Sequence, residues 1–198
     1  MILVELAEVP TAALPLARLK EHLRLGTGFA DDTVQDGLLE GFLRAAVAAV
    51  EARTGKALIE RPFEMSLRAW HRSDRQPIPI APVGAVSALA LVDADGVAES
   101  WPLHAFRLEI DAMRPCLAPA GGLLPPIPAG GIARITFEAG YGAAWASVPR
   151  DLAQAVMMLA SHYHEHRADT ALSEGCMPFG VTALIERYRP LRLSAGLP

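Results

Sequence analysis

At 198 residues, 52% of them hydrophobic and with a net charge of −4, the chain is sized for one domain, and its acidic balance excludes tight general binding to DNA, which needs a basic footprint to release counterions. Aromatic residues make up 6%, leaving no base-stacking platform, and the longest apolar run, Ala45 to Val50, is far too short to span a bilayer. The start, Met1-Ile2-Leu3-Val4-Glu5, has no basic region or cleavage site of a secretory signal, and Cys116 and Cys176 lack any CxxC or Cys/His spacing, so they read as reduced thiols of a cytosolic product.

In chain order, the first predicted element is a short amphipathic helix over 16–25, with Leu16, Leu19 and Leu23 on one stripe and Gly26 as its stop. Asp31-Asp32 then supplies an N-cap and early negative charge for a second helix that runs to Thr54. Its expected inner stripe is Val34, Leu38, Phe42, Ala45 and Ala49, widened by Leu39, Ala46 and Val50. Gly55 suits the residue just past the helix end, where φ > 0 costs a glycine nothing.

From about Arg61 to Gly142 the pattern changes to strands punctuated by Pro and Gly. Phe63, Met65, Leu67 and Ala69 alternate with Glu64, Ser66 and Arg68, which predicts a half-buried strand. Pro77, Pro79 and Pro82 confine the next segment to a sheet edge or an extended arm. Val86–Val92 predicts a strand, Asp93-Ala94-Asp95-Gly96 a turn into Val97–Trp101, and Phe106, Leu108 and Ile110 a further strand. The segment Pro115–Gly131 is so dense in Pro and Gly that it reads as a long surface loop with some extended structure. A last strand has Ala133, Ile135 and Phe137 alternating with Ile132, Arg134, Thr136 and Glu138.

Pro149 is expected at the first position of a third helix, with Leu152, Ala155, Val156, Leu159 and Tyr163 inward and an end near Arg167. After a connector, 168–180, a short fourth helix over 181–189 turns Leu184, Ile185 and Tyr188 inward and is stopped by Pro190. Residues 191–198 are expected to form a tail, and Arg187, Arg189 and Arg192 make a local basic cluster near the C-terminus.

The sharpest enzymatic pattern is His162-Tyr163-His164-Glu165-His166. It fits H-x-x-E-H on a helix, the spacing of inverted zinc peptidases, where imidazoles at i and i+4 share a face and the Glu activates water. Glu174 or Glu186 is then the candidate third ligand. The bland alternative is a helix end whose imidazoles interact with the negative end of the dipole. Gly140-Tyr141-Gly142 lies between a strand and a helix, yet Trp145 stands where a dinucleotide fingerprint needs its third glycine, so it reads as a turn. Asp93-Ala94-Asp95-Gly96 lacks the further ligands of a calcium loop and reads as a hairpin turn. There is no G-x-S-x-G, and Gly130-Gly131 is not followed by the Lys-Ser/Thr pair of a P-loop.

A series of stations runs through the chain: Leu19-Lys20-Glu21-His22-Leu23-Arg24, Asp31-Asp32, Val50-Glu51-Ala52-Arg53-Thr54-Gly55, Pro82-Val83 with Val86, and Val92-Asp93-Ala94-Asp95-Gly96. It continues with Phe137-Glu138-Ala139-Gly140-Tyr141-Gly142, Val148-Pro149 with Leu152 and Gln154-Ala155, His162-Tyr163 with Arg167, and Leu184 with Tyr188-Arg189. In their order and spacing these resemble the head–tail connector (adaptor, or head-completion) proteins of long-tailed bacteriophages and of phage-derived gene transfer agents, over roughly Leu14 to Arg189. The resemblance implies a non-enzymatic virion structural protein, made in the bacterial cytoplasm, that forms a homo-oligomeric ring, typically of twelve copies, at the head–tail junction. Its implied partners are the portal protein above and a tail-completion or stopper protein below. DNA passes through without sequence-specific binding, and no membrane, metal or cofactor is implied. It also places Tyr188, Arg189, Leu191, Arg192 and Leu193 at the portal, ordering on docking.

The expected fold is α+β in a single connector domain over 1–198. A mainly α-helical body at about 14–55 and 148–190 carries two N-terminal and two C-terminal helices around an antiparallel β-rich insertion at about 61–142. The alternative reading is a zinc-dependent hydrolase using His162, Glu165 and His166. A third is a small cytosolic binding module.

Overall fold

Helix-period and strand-period segments follow one another in blocks, not in βαβ alternation. The computed structural model describes residues 1–25, 33–167 and 177–190. Within them the order is β1 (Ile2–Glu5), α1 (Leu16–His22), α2 (Thr33–Thr54), β2 (Arg61–Leu67), β3 (Gln76–Pro77), β4 (Val83–Val92), β5 (Ala98–Trp101), β6 (Phe106–Glu109), β7 (Cys116–Pro119), β8 (Ile132–Ala139), α3 (Arg150–Glu165) and α4 (Phe179–Ile185). The class is therefore mixed α and β with antiparallel sheets, as expected. The order of elements matches only in part, because a strand precedes the first helix. The chain divides into two compact units, Met1–Pro10 with Ala57–Ser147, and Thr11–Lys56 with Val148–Pro198.

The first unit contains a five-stranded sheet in the order β1-β2-β8-β4-β5 and a three-stranded sheet in the order β3-β7-β6. β8 alternates as its sequence predicts, burying Ala133, Ile135, Phe137 and Ala139. Its register sets Phe63 opposite Phe137, and the two rings stack with centroids 5.9 Å apart. Phe106 and Leu117 from the smaller sheet, with Ile78 just past β3, complete one core with Met65, Leu67, Leu89 and Leu91 from the larger. Burying each such side chain stabilises the fold by about 1.5–3 kcal/mol before entropy is counted.

Three expectations for this unit change. The strand at Phe63 ends at Leu67, and Ala69 is exposed. β4 starts at Val83, three residues early, through register shifts between Val83 and Ala85 and between Val86 and Ala88 that bulge the strand. Pro115–Gly131 is not a surface loop throughout: β7 lies inside it, buried at all four positions as the middle strand of the smaller sheet. Leu124 is buried as well, and Trp70 Nε1 donates to the Pro125 carbonyl at 2.7 Å. A strand covered on both faces shows no alternation, so Cys116-Leu117-Ala118 carries no period to read. The proline argument does hold at β3, which is an edge strand containing Pro77. Finally, Gly140 has φ +144°, and a Cβ there would lie 2.2 Å from the Glu60 Cα, so close backbone approach fixes this residue as glycine.

In the second unit α2 packs on α3 and α1, and α3 packs on α4. The buried stripe of α2 is Leu39, Leu43, Ala46, Val47 and Val50, about one residue round from the expected one. Leu38 is 48% exposed, Ala45 is exposed, and Phe42 and Ala49 are only half-buried. Apolar residues stand in adjacent pairs here (Leu38-Leu39, Phe42-Leu43, Ala45-Ala46), so two stripes fit the sequence equally, and burial of Leu39, Leu43 and Val50 decides. α1 stops at His22, three residues early, with Arg24 at φ 54°. Gly55 takes φ 64° at the end of α2, as expected, and its N–H donates to the Glu51 carbonyl at 2.8 Å. The expected Asp31-Asp32 cap, Gly26 and Val34's side chain lie outside the described residues.

On α3 the expected face is buried at Leu152, Ala155, Val156 and Leu159, with Tyr163 half-buried and its phenol pKa pushed up by burial. Pro149 precedes the first helical residue, in place of the expected first position, and its carbonyl accepts from the Ala153 N–H at 2.9 Å. α4 begins two residues early, at Phe179, and runs into a 3₁₀ turn over Glu186–Tyr188.

Candidate functional site

The H-x-x-E-H pattern sits on the last turns of α3, with the His162 and His166 rings 4.3 Å apart. His166 Nδ1 lies 3.0 Å from the His162 carbonyl oxygen, which can only accept, so Nδ1 carries the proton and the ring is turned back onto its own helix. Glu165 is exposed, and Glu186 is engaged with Arg189 on the 3₁₀ turn. Glu174 lies outside the described residues. Among the described residues no group of three His, Cys, Asp or Glu side chains is placed to hold a metal. A half-open cavity of about 360 Å³ beside His164 is lined by Leu25, Gln35, Leu38, Leu39 and Arg167. His164 Nε2 is 3.2 Å from Arg167 Nη1 there, a pair that brings neither nucleophile nor base to a substrate.

The glycine turn and the Asp turn are structural. Gly140 N–H donates to the Pro82 carbonyl at 2.9 Å, and the Gly142 carbonyl accepts from Glu60 at 3.0 Å, so the turn offers no open anion cradle. Asp93 Oδ1 accepts from the N–H groups of Asp95 at 3.0 Å and Val97 at 2.8 Å, closing the β4–β5 hairpin in place of a cation site.

What remains is a knot of polar groups at the end of the second helical pair. Asp151, in the first turn of α3, accepts from the Tyr188 hydroxyl at 2.8 Å and pairs with Arg187 at 2.6 Å. Arg187 also donates to the Tyr188 hydroxyl at 2.6 Å, and its guanidinium lies 4.7 Å from the ring centre. Burial pushes the Tyr188 phenol pKa up. An acid in the first turn of a helix is favoured by the dipole, so the contact has a local physical cause. Of the residues expected at a docking surface, Tyr188 is thus half-buried and pinned, Arg189 is exposed and bonded to Glu186 at 3.1 Å, and Leu191, Arg192 and Leu193 lie outside the described residues.

A second surface lies on the β unit. β1 is exposed at all four positions and pairs only along β2, with Leu3 opposite Met65 and Glu5 opposite Phe63. A buried Arg61 fastens it: Nε and Nη2 donate to Glu5 Oε1 and Oε2 at 2.6 and 3.1 Å, and Nη1 donates to the Ile59 carbonyl at 2.9 Å.

No protein-family model matches the chain, and no curated protein does. Among solved structures it is similar, over the full length of both chains, to a component of the neck of an empty gene transfer agent particle with C6 symmetry, at 52% identity and a TM-score of 0.90. A chain from the neck of a native gene transfer agent particle with C12 symmetry matches at 47% and 0.84, and one from the virion of a native gene transfer agent particle at 52% and 0.87, each covered in full. The chain belongs to the head–tail connector family of bacteriophages and gene transfer agents. This connector is accordingly a structural protein of the virion and not an enzyme, and the zinc-hydrolase alternative is set aside. Sequence reasoning passed over two surface features of the connector. The apolar run Ile2-Leu3-Val4, with β-branched Ile2 and Val4, is the available signal for β1, whereas no local pattern signals the pairing of Asp151 with Tyr188 and Arg187.

Proposed function

We propose that this connector is one of twelve copies in a ring that joins the portal vertex to the next connector or stopper protein and forms part of the DNA exit channel. The observation that carries the reading is full-length likeness, at 47% identity, to a chain in a neck of C12 symmetry. Two features of this chain support it. A net charge of −4 suits a conduit through which DNA slides, because a strongly basic lumen would hold phosphates at many points. The Asp151–Arg187–Tyr188 knot anchors the chain just before Pro190 to the start of α3, and we assign Tyr188, Arg189, Leu191, Arg192 and Leu193 to the portal contact.

Deleting residues 191–198 tests the assignment. The truncated connector is expected to fold, and to lose measurable affinity for purified portal. Full-affinity binding by the truncated chain overturns the portal assignment. Absence of the intact chain from purified particles overturns the ring itself.

A further inference from the structure

Five of the first six side chains, Met1, Ile2, Leu3, Val4 and Leu6, are large, apolar and 38–70% exposed. They lie on or beside β1, an edge strand. Proteins that stay alone in solution blunt such edges with Lys, Pro or inward charges. Here the one charged side chain within the strand, Glu5, is already paired with Arg61, so no unpaired side-chain charge stands in it. At the other end of the same sheet, β5 is flanked by Val97 just before its start, 66% exposed, and Leu103 just past its end, 51% exposed.

We infer that β1 of one copy packs against the β5 end of the next copy, forming the lateral contact of the ring. This rests on the ring reading above. Cyclic rings are built from heterologous contacts, in which two different patches on each copy meet. β1 and β5 supply such a pair, at opposite ends of one sheet and about 19 Å apart at roughly 4.8 Å per strand step.

The joint is made by side chains, not by continuing the sheet. Neighbouring strands turn by about 20–25°, so four steps set β1 and β5 roughly 80–100° apart. A twelvefold ring rotates each copy by only about 30° relative to the next, too little to lay β5 of one copy alongside β1 of its neighbour.

Cysteine cross-linking in intact particles tests the contact. One chain carries Val4→Cys with Val97→Cys, a second carries Val4→Cys with Leu103→Cys, and the single variants and the parent chain set the background from Cys116 and Cys176. With a short bismaleimide, at least one double variant is expected to give a denaturing-gel ladder at integer multiples of the subunit, and each single variant only monomer. Monomer from both double variants, with the chain present in particles at parental amount, overturns the β1–β5 assignment and leaves the ring standing. A dimer from Val4→Cys alone that persists when Cys116 and Cys176 are replaced by Ser shows a self-complementary contact and also overturns it. As a second measurement, Ile2→Lys with Val4→Lys is expected to keep the parental circular dichroism and to lower incorporation into particles at least tenfold. Parental incorporation contradicts the contact, and loss of the parent chain itself from particles removes the ring and this inference together.

Discussion

Replacing Glu5 by Gln keeps the shape of the side chain and removes the charge that fastens β1. In the parent, Arg61 has a side chain 5% exposed and gives two charge-assisted bonds to a Glu5 carboxylate that is 39% exposed. Breaking a fully buried ion pair costs about 3–5 kcal/mol, and the partial exposure of Glu5 lets water replace part of the loss, which reduces the figure to about 1–2 kcal/mol. β1 is four residues long and exposed throughout, so this loss falls on a segment with few other fastenings. At about 1.4 kcal/mol per decade, local opening of β1 rises roughly 5–30-fold. Hydrogen exchange of the purified chain reads this directly at the Leu6 amide, which bonds to the Pro62 carbonyl at 3.0 Å, with amides of β8 as the internal reference. Leu6 is expected to lose protection by that factor while β8 is unchanged. A change at Leu6 of less than twofold, or one shared equally by β8, refutes the argument that this pair fastens the strand.

Gly140→Ala forces a Cβ to 2.2 Å from backbone at a φ of +144°, and is expected to destabilise the β unit by about 2–5 kcal/mol in urea titration. Leu117→Ala removes a fully buried side chain from the middle strand of the smaller sheet, and a loss of about 2–5 kcal/mol in the same titration is expected. Tyr188→Phe deletes the hydroxyl bond to Asp151 at a half-buried site, and should cost about 1 kcal/mol, visible as faster exchange of the amides at Arg189 and Tyr188 with α3 unaffected. Protein purified without added metal is expected to contain far less than one zinc per chain, and stoichiometric zinc lost on His162→Gln with His166→Gln would contradict the geometry found at the end of α3.

Legibility in the sequence followed the number of buried faces. β2 and β8 each bury one face, so Phe63, Met65, Ile135 and Phe137 announce themselves by alternation. α3 has a single apolar face and was read correctly from Leu152 to Leu159. α2 is apolar on several faces, and only packing chooses between Leu38 and Leu39 or Phe42 and Leu43. β7 is buried on every side, and its neighbouring prolines and glycines masked it as loop. The polar knot at Tyr188 depends on residues 37 positions apart in sequence, Asp151 and Tyr188, and no local pattern predicts such a pairing. The exposed strip on β1 is legible as a strand and not as a surface, since exposure depends on which strand ends the sheet.

The threading of the chain through its two units has a consequence during synthesis. Every strand of the β unit has been translated by Ser147, whereas α1 and α2 are made before Lys56 and their partner α3 starts only at Arg150. At about 5–20 residues per second, the roughly 90 intervening residues take a ribosome about 5–20 s. Throughout that interval Leu39, Leu43, Val47 and Val50 have no α3 to cover them, so the apolar face of α2 stays open while the β unit is being finished.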